Sequence, residues 1–143
     1  MSRYSFGARS IQRLETCHPA IRAVMSRAIE LTPFDFTIVA GWRGETEQNE
    51  AYENGRSKLR WPQSKHNVTV DGKPMSRAVD IAPWIDGRIN WSDRALFAVL
   101  AGVVFAAAAE RNVAIRWGGN WQPKWAPAEN RFPDLPHFEL AER

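Results

Sequence analysis

Ala78-Val79-Asp80-Ile81-Ala82-Pro83 is the stretch from which the rest of the chain can be read. Val79 and Ile81 are β-branched, and the proline ends a short strand over 78–82. Asp80 stands inside this apolar run. A carboxylate in such a place requires a partner, an ion or a hydrogen-bonding cluster.

Downstream, Asp86-Gly87 marks a turn, and Ser92 is a favourable N-cap for a helix from Asp93 to Arg111. The apolar run Ala95–Ala109 inside it is shorter than the roughly 20 residues that span a bilayer, so it reads as a core helix. Val113–Trp117 reads as a strand ended by Gly118-Gly119. A proline-rich connection, 123–136, then leads to a last strand, His137-Phe138-Glu139-Leu140.

Upstream, apolar residues at helical spacing after His18-Pro19 predict a helix that Thr32-Pro33 stops. Phe36–Ala40 predicts a strand, and Thr46–Asn54 a short helix capped by Thr46. Residues 56–76 look irregular. Helices and short strands alternate without a βαβ rhythm, so the class is α+β, a small antiparallel sheet packed with helices.

With 143 residues, the chain has room for one domain spanning 1–143. Its 44% hydrophobic and 24% charged content excludes a disordered chain. One cysteine, Cys17, excludes an internal disulfide framework. The net charge of +3 comes from scattered single arginines rather than a basic stripe, which argues against a nucleic-acid partner. Met1–Ser10 lacks an apolar segment of the signal-peptide kind, so the expectation is synthesis in a cytoplasm without membrane insertion, as a monomer.

The chain has three histidines. His18 precedes a helix and reads as structural. His66, Asp80 and His137 together form an imidazole–carboxylate–imidazole set that suits Zn²⁺ and leaves a fourth position for water. Strands carrying Asp80 and His137 could aim both side chains at one point, a geometry that spacing permits. Seven tryptophans are many for this length; Trp117, Trp121 and Trp125 flank glycine and proline and could wall a cleft.

Ser64-Lys65-His66, Ser76-Arg77-Ala78-Val79-Asp80 and Asp134-Leu135-Pro136-His137 together resemble the Ser-x-His…Gly-x-Ala-x-Asp…(Asp/Glu)-x-x-His signature of the D-alanyl-D-alanine peptidase/VanY zinc peptidases. Those enzymes share their fold with the Hedgehog signalling domain. Gly41-Trp42-Arg43 with Gln48, Asn54-Gly55-Arg56-Ser57, Ile89-Asn90-Trp91, Trp117-Gly118-Gly119-Asn120-Trp121 and Pro136–Leu140 are similar to the phage endolysin subgroup of L-alanyl-D-glutamate peptidases.

The resemblance implies Zn²⁺ held by His66, Asp80 and His137, and Asp134 as general base. It also implies Arg43 on the oxyanion, with Ser64, Gln48 and Trp121 as substrate contacts. Glu139 would face the same side as His137 and support it. The implied function is hydrolysis of the L-alanyl-D-glutamate bond of peptidoglycan, reached after membrane permeabilisation. A D-alanyl-D-alanine carboxypeptidase and a non-catalytic zinc module that binds cell wall are the alternatives. Three features depart from the pattern: an extra segment of roughly Thr69–Met75, Ser76 in place of glycine, and Asn120 in place of aspartate.

Overall fold

A computed structural model describes residues 3–120 and 134–141. Trp121, Trp125 and most of the proline-rich connection therefore lie outside the described residues. Among those described, the elements run α1 (Ala8–Glu15), α2 (Pro19–Leu31), β1 (Phe36–Ala40), α3 (Glu45–Glu53), β2 (Thr69–Val70), β3 (Lys73–Pro74), β4 (Ala78–Pro83), α4 (Arg94–Glu110), β5 (Ile115–Trp117) and β6 (His137–Leu140). A 3₁₀ turn, Lys65–Asn67, lies between α3 and β2.

Four strands form one antiparallel sheet in the order β1-β4-β6-β5. The α+β expectation holds. Because strand side chains alternate between faces, Val79 and Ile81 on β4 point with Phe138 and Leu140 on β6 into the main core. There they meet Val24, Met25 and Ala28 of α2 and Leu100, Val104 and Ala108 of α4. Helices α2 and α4 pack on each other, and α1 lies against β1. The alternate positions, Asp80 on β4 and His137 and Glu139 on β6, fall on the opposite face.

Local chemistry explains where the elements begin. His18 caps α2, its Nδ1 accepting from the Ala20 amide at 3.0 Å, with Pro19 at the first helical position. Asp93 rather than Ser92 caps α4, its carboxylate accepting from the Leu96 amide. Gly44 rather than Thr46 precedes α3, without a side-chain cap. Asp71-Gly72 and Asp86-Gly87 both adopt positive φ, the conformation a two-residue hairpin turn requires. The first makes the extra segment a small exposed β2–β3 hairpin projecting between the two sequence motifs it separates.

Candidate metal centre

The sheet register builds half of the centre. Asp80 and His137 are directly paired across β4 and β6, so their side chains stand side by side on one face. Ala40 of β1 also pairs with Asp80, next to an irregularity in the β1–β4 ladder. Such bulges re-aim the chain near functional sites.

The 3₁₀ turn delivers His66. Ser64 Oγ accepts from the His66 amide at 3.1 Å, and Asn67 Oδ1 accepts from the Ser64 amide at 3.1 Å, forming a capping box. The segment after β1 holds the turn from the other side: the Arg43 amide donates to the His66 carbonyl at 2.9 Å. Gly41 is needed there, because a Cβ would collide with the Arg13 carbonyl and with Thr16 of the α1 C-terminus.

Three ligand atoms converge. His66 Nε2 lies 3.3 Å from His137 Nδ1 and 3.4 Å from Asp80 Oδ1, and His137 Nδ1 lies 3.1 Å from the same oxygen. The three side chains are buried and could hold a metal ion. Their outward nitrogens fix the tautomers. His66 Nδ1–H donates to the Gly41 carbonyl at 2.7 Å, and His137 Nε2–H donates to Glu139 Oε1 at 2.9 Å. With these outward bonds, each ring in its neutral form turns a lone pair toward the shared point, where Asp80 adds an anionic oxygen.

Three buried acceptors facing one another favour a cation, a proton or a metal ion, between them. A tetrahedral ion with ligands about 2.0–2.1 Å away has ligand-to-ligand edges of about 3.3–3.4 Å; two observed edges, 3.3 and 3.4 Å, fall there, and the third, 3.1 Å, is slightly shorter. The donor set and its spacing therefore fit zinc.

The surrounding charges work in the same direction. Burial would raise the Asp80 carboxyl, but His66 and His137 beside it prevail and hold it well below the usual range. Burial would lower His137, yet its bonds to Asp80 and Glu139 push it up to about 9. Burial opposes the ionised form of Glu139 as well, but His137 and Lys65 bring it down to about 2. A field that attracts a proton this strongly also attracts a divalent cation.

Asp134 lies at the turn into β6, where its carbonyl accepts from the His137 amide at 3.1 Å. Burial raises its carboxyl, as does the charge of Asp80, against the opposing pull of His137, His66 and Arg43. Arg43 Nη2 bonds Asp80 Oδ2 at 2.7 Å, so the oxygen of Asp80 turned away from the imidazoles is neutralised by a guanidinium.

The remaining expected residues are placed differently. Ser64 is buried and serves as the cap of the His66 turn. Gln48 is fully buried: its Nε2 donates to Ser57 Oγ at 2.9 Å and to the Leu59 carbonyl at 2.6 Å, while its Oε1 accepts from Asn67 Nδ2 at 3.2 Å. Their hydrogen bonds hold the His66 turn and the 57–59 segment in place. Trp117 is also buried, stacked on Phe138 rather than walling a cleft. Trp121 lies outside the described residues. Lys65, bonded to Glu139, carried no signal in the sequence.

Comparison with known proteins agrees with this geometry. The family model of the phage L-alanyl-D-glutamate peptidases matches residues 1–141. The chain belongs to that family. The L-alanyl-D-glutamate peptidase of Escherichia phage T5 is 35% identical over 118 residues, which is 82% of either chain. The crystal structure of the Serratia marcescens L-Ala D-Glu endopeptidase ChiX superposes with a TM-score of 0.74 at 28% identity, covering 95% of this peptidase and 89% of that chain. Membership in a peptidase family sets aside the non-catalytic reading and favours the endopeptidase over the carboxypeptidase. No helix among the described residues is long and apolar enough to cross a membrane.

Proposed function

We propose that this chain is a zinc-dependent endopeptidase that hydrolyses the L-alanyl-D-glutamate bond of peptidoglycan stem peptides, an endolysin that works on the bacterial wall. The observation that carries the reading is the triangle of buried ligand atoms on His66, Asp80 and His137. A zinc ion held there would supply a Lewis acid for the scissile carbonyl and would acidify water.

The protein side chains do the rest. Asp134, three residues before a ligand, takes the proton of the attacking water and returns it to the departing amine of glutamate. Its raised pKa suits that exchange, because a carboxyl nearer neutrality both accepts and donates. Arg43 orients Asp80, and its guanidinium stands at the centre's edge, where a carbonyl oxygen gaining charge would be stabilised. The enzyme would be made in the host cytoplasm and meet its substrate once the membrane is breached.

Purified sacculi treated with the protein should gain new amino-terminal glutamate and carboxy-terminal alanine on the lactyl-linked residue, and a chelator should stop the gain. Release of free terminal alanine instead would assign the carboxypeptidase reaction.

A further inference from the structure

Lys65 is the residue next to one imidazole ligand, yet its side chain reaches the support of the other. Its Nζ donates to Glu139 Oε2 at 2.9 Å and to the Leu140 carbonyl at 2.7 Å. The other oxygen of Glu139 accepts from His137 Nε2 at 2.9 Å. The Lys65 backbone is tied as well, its carbonyl accepting from the Arg77 amide at 2.9 Å, while the Arg77 carbonyl accepts from the Leu140 amide at 2.9 Å. We propose that Lys65 is a positioning residue of the metal centre, bracing Glu139 and through it the ring of His137. The inference rests on the reading of His66, Asp80 and His137 as the metal ligands.

The physical case is one of geometry and charge. A closed circuit runs from the Lys65–His66 backbone across the ligand triangle to His137, on to Glu139, and back through the Lys65 ammonium. It ties the 3₁₀ turn to β6 at the point where their imidazoles must meet. The Lys65 ammonium grips the outer oxygen of Glu139 while the inner oxygen meets His137, so the carboxylate is held from both sides. Arg116 is a weaker substitute: it contacts the same oxygen at 3.4 Å from a side chain that is 46% exposed, against 21% for Lys65. A shorter contact on a less exposed chain is less screened and holds the carboxylate in one rotamer.

The experiment measures zinc affinity by competition with a chromophoric chelator, using the full chain. Outer partners of histidine ligands typically contribute 10–100-fold in metal affinity, and Lys65→Met is expected to weaken zinc about tenfold. Lys65→Arg should recover most of the loss. The double variant Lys65→Met with Glu139→Gln should bind no more weakly than Glu139→Gln alone, because the lysine acts through the glutamate. Lys73→Met, on the exposed β2–β3 hairpin, should leave affinity unchanged. Should Lys65→Met fail to fold, Lys65→Gln serves in its place with the same expected loss.

Wild-type affinity in the folded Lys65 variant, with equal thermal destabilisation of the zinc-loaded and zinc-stripped forms, would make the lysine merely structural and overturn the inference. Absence of zinc binding in the wild type would overturn the ligand reading itself, a failure visible without any variant.

Discussion

Gly118 lies flat against the backbone of Asp134. The Asp134 amide donates to the Gly118 carbonyl at 2.8 Å, the Gly118 amide donates to the His137 carbonyl at 2.8 Å, and a Cβ on Gly118 would collide with the Asp134 carbonyl. One glycine thus sets the position of both the proposed base and the turn into His137, a proposed metal ligand. Gly118→Ala must displace that turn, since backbone rather than a flexible side chain stands in the way. The expected outcome is a fall in kcat of about 10²-fold, the usual effect of misplacing a catalytic group by an ångström. Zinc affinity should fall as well, because His137 lies at the end of that turn and its carbonyl accepts from the Gly118 amide. Kinetics on muropeptides together with metal analysis check both halves.

Removing the carboxylate itself separates chemistry from metal binding more sharply. Asp134→Asn should lower kcat/KM by about 10²–10⁴-fold, the typical contribution of a positioned base, while zinc remains bound. The native carboxyl is raised by burial and by Asp80. A base acts only when deprotonated, so activity should fall as pH drops through that raised value, and the variant should lose this acid limb. A pH–rate profile of both proteins decides.

Cys17 is 1% exposed. Burial is the main cause that pushes its thiol up to about 11, well above its ordinary value of 9.0. The native protein should therefore be inert to a thiol-reactive dye at pH 8 and become reactive on unfolding. By linkage, the protonated thiol contributes stability that is complete below pH 9 and lost as pH rises toward 11. Labelling rates with and without denaturant test the first statement, and denaturant midpoints across that window test the second.

Much of this architecture is legible in the residues because burial leaves a periodic trace. Val79 and Ile81 announce β4, the apolar run 95–109 announces α4, and Asp80 stands out because nothing else in its strand is polar. The α1 helix escapes such a reading because only Ser10 and Leu14 are buried along it, too few to show a stripe. The 3₁₀ turn that delivers His66 has no periodicity to show. Ser64 and Gln48 belong to a resemblance that places them near the reaction. Their burial, visible only in three dimensions, makes them supports for His66 and for the 57–59 loop. Lys65 was invisible for a related reason: a lysine in a polar stretch usually lies in solvent, and its partner is 74 residues away.

Metal content tests the central claim most directly. Protein purified without added metal or chelator should carry one zinc per chain, and folded His66→Ala should carry none, since a two-ligand remnant loses most of its hold. A native protein that contains no zinc, takes up none on dialysis and still cleaves muropeptides in excess chelator would contradict the account.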